Sequence, residues 1–205
     1  MLHVRPAVAE DVADIVRVHM SAFPGFFLTM LGPRFLRRLY CGFVDERQLG
    51  VLLVAQEAES TICGLLAGSR APERFFRTIR RRQGVAMVVV ALPAAMRHPL
   101  RVIGRLLAAV YYRGDQPADL PGYWLLSSLG VEKGRGGSGI GEALVSQFCD
   151  LAGAAHARGI YLVTDDDDND RAQRFYCKCG FDIHSRRVRG DGRRMAVMTR
   201  RLDHG

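Results

Sequence analysis

No stretch of this 205-residue chain is long and apolar enough to read as a membrane span or an export leader. Residues 85–96 come nearest, but Pro93 interrupts them and the run falls short of the roughly 20 residues that a spanning helix needs. The N-terminus Met1-Leu2-His3-Val4-Arg5-Pro6 passes straight into Glu10 and Asp11 without the apolar core of a signal peptide, so the expected setting is the cytoplasm, with a peripheral membrane contact as an option. The five cysteines (Cys41, Cys63, Cys149, Cys177 and Cys179) are odd in number and fall mostly inside apolar segments, unlike a secreted disulfide framework. Cys177 and Cys179 are one residue apart, where zinc knuckles and redox motifs place two between their cysteines, so no metal is expected there. Lysine is scarce. Arginine supplies nearly all of the positive charge behind the net +8, and much of it lies between Arg70 and Arg113. Such a balance favours an anionic contact, whether nucleic acid, a membrane surface or a phosphorylated cofactor.

With 48% hydrophobic residues, the chain can bury one core, and residues 1–205 read as one domain. Residues 2–5 read as a strand, and Glu10-Asp11 open a helix whose apolar positions Val12, Ile15, Val16 and Met20 recur at helical spacing. A second helix is expected over residues 28–43. Residues 51–55 and 61–67 have the pattern of an antiparallel hairpin. Residues 72–113 form a helical insertion, basic, then apolar, then basic again. A strand over 123–131 leads into a glycine-rich turn and a helix running to Gly159. The strand 160–163, the acidic residues 165–168 and a short helix over 170–179 come next. Two strands, 181–188 and 194–202, close the chain across Gly190-Asp191-Gly192. The class is mixed α/β.

The turn Gly134-Arg135-Gly136-Gly137-Ser138-Gly139-Ile140-Gly141 joins a strand to a helix start. Unpaired backbone N–H groups converge at such a place with the positive end of the helix dipole, which makes an anion site. Glycine lets phosphate oxygens approach without meeting a Cβ. A Walker loop is excluded, because Ile140 and Gly141 stand where Lys and Ser or Thr are required. A dinucleotide fingerprint needs a βαβ unit followed by further parallel strands, which this chain lacks. The remaining alternative is a flexible glycine loop. The run Asn169-x-x-Ala172-x-x-Phe175-Tyr176-x-x-x-Gly180-Phe181 decides against it, lying one helix and one strand downstream with Asn169 placed to cap the short helix and Gly180 to end it.

Together the two motifs resemble those of the GNAT superfamily of N-acetyltransferases. The specific matches span residues 125–181, and the order of elements agrees over nearly the whole chain. The resemblance implies a central mixed, mostly antiparallel sheet flanked by helices, acetyl-CoA or another acyl-CoA as co-substrate, no metal, and direct attack of an acceptor amine on the thioester. It implies cofactor contacts from Leu129, Gly130, Val131, Arg135, Gly136, Gly137, Ser138, Gly139, Ile140, Gly141, Asn169 and Tyr176. The Leu129 backbone N–H is the expected donor to the thioester carbonyl, and Tyr176 is the expected acid towards the leaving sulfur. The family usually carries Arg or Gln where this chain has Gly136, with Arg135 one place earlier.

No general base follows from the sequence: Leu125-Leu126-Ser127-Ser128-Leu129 holds no carboxylate, Ser127 or Ser128 could order a water, and His184 is a base only if its side chain faces the cleft. The acidic residues 165–168 lack the glycine and terminal glutamate of a calcium loop and read as a solvated strand end. By resemblance the acceptor cleft includes Phe23, Phe26 and Phe27, whose other reading is helix-to-sheet packing. The acceptor expected is a small-molecule amine, such as an amino sugar. The 72–113 insertion is a candidate contact for an anionic membrane surface or carrier, and the chain is expected as a monomer or homodimer. Two other classes stay open: a catalytically silent acyl-CoA sensor, and a nucleic-acid-binding module, to which no motif here gives a geometry.

Overall fold

The computed structural model describes residues 2–57, 61–97, 117–167, 169–190 and 192–202. In chain order these form β1 (His3–Pro6), a 3-10 turn (Ala9–Asp11), α1 (Val12–Ala22), α2 (Phe27–Met30), α3 (Pro33–Asp45), β2 (Gly50–Gln56), β3 (Ile62–Ser69) and α4 (Pro72–Arg97). They continue with β4 (Tyr123–Val131), α5 (Ile140–Ala154), β5 (Gly159–Asp165), α6 (Asp170–Lys178), β6 (Asp182–Val188) and β7 (Arg194–Arg201). The strands make one seven-stranded sheet in the order β1-β2-β3-β4-β5-β7-β6. Every neighbouring pair is antiparallel except β4 with β5, which is the expected mixed, mostly antiparallel architecture.

Strands β2 and β3 are buried on both faces, because helices cover the sheet on each side. On one side α5 lays Ile140, Leu144, Phe148 and Ala152 against Leu53, Leu66, Trp124, Ile160 and Met198. On the other, α1, α3 and the start of α4 pack Ile15, Leu36, Tyr40, Phe43 and Phe75 onto Leu52, Val54 and Leu65. A smaller cluster joins Leu31 and Phe35 to Ala91 and Ala94 of α4.

Several boundaries differ from expectation for local reasons. The helix expected over 28–43 is two, α2 and α3, because Gly32 takes φ +88°, which breaks the helical path, and Pro33 restarts it at the first helical position. The 3-10 turn precedes α1; Asp11 accepts the Val8 N–H at 2.8 Å and hydrogen bonds from Nη1 and Nη2 of Arg5. Helix α5 stops at Ala154, well before Gly159, which instead opens β5. Helix α4 runs through Pro93, which stands on its exposed face, so the proline removes a ladder bond without ending the element. The rest of the helical stretch expected to residue 113, along with Asp168 and Asp191, lies outside the described residues.

One irregularity positions the site. The β3–β4 register shifts between Ala67 and Gly68, leaving Ser127 without a partner in β3, and its Oγ donates to Ala67 O at 3.0 Å. Just before this bulge β4 parts from β5: the parallel ladder holds only Tyr123, Trp124 and Leu125 against Gly159, Ile160 and Tyr161. From residue 126 onward no β5 residue pairs with β4, so the sheet opens as a wedge between two strands that should be neighbours.

Candidate functional site

The glycine-rich turn sits at the mouth of this wedge, between the end of β4 and the start of α5. Its first bend is closed by Arg135 N–H to Glu132 O at 3.1 Å and by Ser138 Oγ to Arg135 O at 2.6 Å. Gly139 then occupies the N-cap of α5 at φ +79°, a conformation that costs a side-chain-bearing residue about 1–2 kcal/mol. Built Cβ atoms on Gly134, Gly137 and Gly139 would meet nothing within 4 Å, so the turn faces open space. The N–H groups at the head of a helix have no partner within it, and here they border that space. The cradle fits an anion such as a pyrophosphate.

Arg135, expected to meet that anion, is turned elsewhere. Its guanidinium pairs with Glu57 at 2.5 Å and with Glu132 at 3.2 Å, and Glu132 is also held by Arg17. Another arginine takes the position over the cradle. A Cβ on Gly136 would lie 3.0 Å from Nη2 of Arg171, the second residue of α6. Thus the guanidinium lies beside the place where a side chain at 136 would stand, and it brings a positive charge to the turn. Only the spacing of Asn169-x-Arg171 could have signalled this, and spacing does not reveal where a side chain reaches.

The two motifs touch directly. Gly141, in the first turn of α5, faces the Phe175 ring, which would stand 3.0 Å from a Cβ there. Tyr176 packs its ring between Phe175 and Phe181, at 5.2 and 5.8 Å between centroids, and burial raises its phenol above the ordinary tyrosine range, so it stays a neutral donor. Asn169 precedes α6 but makes no side-chain capping bond. Its amide donates to Thr164 Oγ1 at 2.6 Å and to Asp165 O at 3.3 Å, while Gln173 donates to Asp165 O and Asp166 O. These bonds fasten α6 to the wedge end of β5. Gly180, at φ +80°, follows the last turn of α6 as expected.

Leu129 and Val131 pack towards the α5 side of the sheet, whereas Gly130 meets α1: a Cβ there would lie 2.9 Å from the Phe23 ring. Phe23 contacts Phe26 at 5.5 Å and His19 at 4.8 Å. The three expected aromatics therefore separate. Phe23 covers Gly130, Phe26 is 57% exposed, and Phe27 turns to the small cluster under α4. His19, which the sequence did not single out, is buried, with Nδ1 2.6 Å from Tyr40 Oη and Nε2 unpartnered among the described residues. Burial pushes its pKa down to about 4, so the ring is neutral.

His184 does not reach the wedge. It lies on the exposed edge strand β6, separated from β5 by β7, with Nε2 2.6 Å from Asp119 Oδ2. Ser127 is occupied at the bulge. The acidic residues are matched by arginines of the β6–β7 hairpin: Asp165 by Arg193, Asp166 by Arg186 and Arg194, and Asp167 by Arg194. They clasp the hairpin to the β5–α6 loop, and no grouping of acids, cysteines and histidines among the described residues could hold a metal.

The model of the "Acetyltransferase (GNAT) family" matches residues 40–181, which include the wedge, the glycine turn and α6. No curated protein matches the chain. Solved structures share its fold at low identity. An acetyltransferase of the GNAT family from Streptococcus pneumoniae is 15% identical with a TM-score of 0.61, covering 99% of this chain and 100% of that one. Ard1 from Thermoplasma volcanium is 16% identical with a TM-score of 0.62, covering 99% of each. The ribosomal-protein-S18-alanine N-acetyltransferase of Escherichia coli is 11% identical with a TM-score of 0.59, covering 100% of this chain and 96% of that one.

Proposed function

Because this chain belongs to the acetyltransferase (GNAT) family, we propose that it transfers an acetyl group from acetyl-CoA to the amine of a small molecule, an amino sugar among the candidates. The observation that carries the reading is the glycine-lined cradle at the head of α5, opening beside a wedge in the sheet. Acetyl-CoA supplies the acetyl group activated as a thioester. On this reading the backbone N–H groups of residues 136–141 and the Arg171 guanidinium hold the pyrophosphate, where a helix N-terminus and a delocalised cation both favour negative charge. On the same reading the Leu129 N–H hydrogen-bonds the acetyl carbonyl, which the loss of the β5 partner along this part of β4 supports. Tyr176 keeps its proton through neutral pH and donates it to the departing sulfur. Phe23, resting on Gly130, forms the apolar wall on the acceptor side. None of the carboxylates described above stands free at the wedge, so the amine reaches the site neutral or loses its proton to water.

Thiol release from acetyl-CoA across a panel of small amines and amino sugars tests this. Turnover with one of them is expected. Tyr176→Phe should lower kcat by more than tenfold with little change in acetyl-CoA affinity. Arg171→Ala should weaken acetyl-CoA binding about tenfold, and Gly139→Val should abolish it. Tight acetyl-CoA binding without turnover on any amine would make the protein a sensor instead. Unchanged affinity in Gly139→Val would remove the cradle assignment.

A further inference from the structure

Over residues 85–96 helix α4 is apolar on two opposite faces, and among the described residues only one of them is covered. Its inward face places Phe75, Ile79, Ala91 and Ala94 in the core, with Met87 and Val90 packed beside them. The outward face follows the positions 74, 77, 81, 85, 88, 92 and 96, each three or four residues from the last, which is a single line along a helix. All seven are exposed. The first three are Arg74, Arg77 and Arg81; the last four are Val85, Val88, Leu92 and Met96, with Val89 beside them. Val85 and Met96 are 83% exposed, and the others of this apolar group about half. A helical stretch that is apolar on both faces belongs inside a protein or against lipid, because exposing either face to water is unfavourable. Nothing described covers this one.

We propose that the outward face of α4 is a docking surface for an anionic lipid bilayer, lying along it without crossing. The arrangement of charge selects the occupant. In a pair of α4 helices from two copies, a parallel alignment would set arginines against arginines, and an antiparallel one would set them against valines and Leu92. Neither supplies a counter-charge. Residues 98–116 cannot supply it either, since they carry Arg101, Arg105 and Arg113 against the single acid Asp115. A leaflet containing acidic lipids meets both halves at once: its phosphates face Arg74, Arg77 and Arg81, and its acyl boundary receives Val85, Val88, Val89, Leu92 and Met96. No helix among the described residues is long and apolar enough to cross a membrane, which suits a surface-bound geometry. The glycine cradle lies between β4 and α5 and shares no residue with α4, so docking would leave its residues free.

Co-sedimentation with phosphatidylglycerol vesicles and with phosphatidylcholine vesicles tests this, each in low and high salt. The protein should pellet with phosphatidylglycerol, less so as salt rises, and only weakly with phosphatidylcholine. The double variant Arg77→Ala/Arg81→Ala should weaken binding about thirtyfold, and Val88→Asp/Leu92→Asp should abolish it, while both melt like the parent and transfer acetyl to a soluble amine at the parent rate. Failure to pellet would overturn the proposal. So would vesicle binding that neither double variant changes, or a parent dimer that Val88→Asp/Leu92→Asp converts to monomer without altering vesicle binding. If Val88→Asp/Leu92→Asp unfolds, the single change Met96→Asp is read instead: a matching fall in melting temperature would show the face to be internal and the proposal wrong, whereas retained stability with lost vesicle binding would support it.

Discussion

His19 shows how much one side chain can reveal about its surroundings. It continues the buried stripe of α1, following Val12, Ile15 and Val16 and preceding Phe23, and it is 2% exposed. Its pKa of about 4 compares with roughly 6.5 in an unfolded chain, so between those values the unfolded state binds the extra proton. Stability is therefore fully present above about pH 6.5 and is lost as pH falls towards 4, by about 3 kcal/mol over the window. Urea unfolding of His19→Gln at pH 7 and pH 4.5 should show a much smaller acid loss than the parent. An equal loss in both would mean that other groups carry the acid sensitivity. At this scale the sequence revealed residue types better than partners. Gly139 stands at the head of α5 and Tyr176 on α6, the elements expected for them. Asn169 suits a helix cap by type, but its amide is used by Thr164 and Asp165 instead. Arg135, expected at the cofactor, pairs with Glu57 and Glu132, and Arg171, which the sequence did not single out, lies beside Gly136, because a long flexible side chain goes wherever the nearest carboxylate or open space draws it, and sequence spacing records neither.

Among the elements, turn chemistry was legible in the sequence, whereas a break inside a helical pattern and the pairing across strands were not. The β2–β3 and β6–β7 hairpins follow from turn chemistry and short spacing. The division of α2 from α3 was written in Gly32-Pro33, but amphipathic periodicity on both sides concealed it. The bulge at Ser127 had no such signature, because it depends on which β3 residue lies opposite. Its tightness gives a test. A Cβ on Gly68 would come within 2.5 Å of the Phe148 ring and 2.6 Å of Leu125 O, and the second contact is backbone that cannot swing away. Gly68→Ala should cost about 2 kcal/mol or more in urea unfolding, since overpacking displaces β4 or α5. A cost near zero would show that the bulge relaxes freely, and that it is not what separates β4 from β5.

Across the whole molecule, net charge was legible as a number but not as a pattern. The excess of +8 became informative only when the phase of α4 placed three arginines and an apolar row on one line. The wedge is the other feature of this scale. Strands β1, β2, β3 and β4 form one part of the sheet and β5, β7 and β6 the other, joined by three residue pairs and by the core beneath α5. Backbone amides of residues 126–131 that face the wedge should exchange with deuterium faster than those of the β2–β3 ladder, and should slow when CoA is added. Exchange unchanged by CoA would place its binding elsewhere.

The same three pairs decide how the protein would yield under load. Strands β1 and β7 are the first and last of the described strands, and they lie in opposite parts of the sheet. A pull applied between β1 and β7 would therefore load the short β4–β5 seam and the contacts of α5 across it. The opening through which a substrate would enter is also the line along which the molecule would tear.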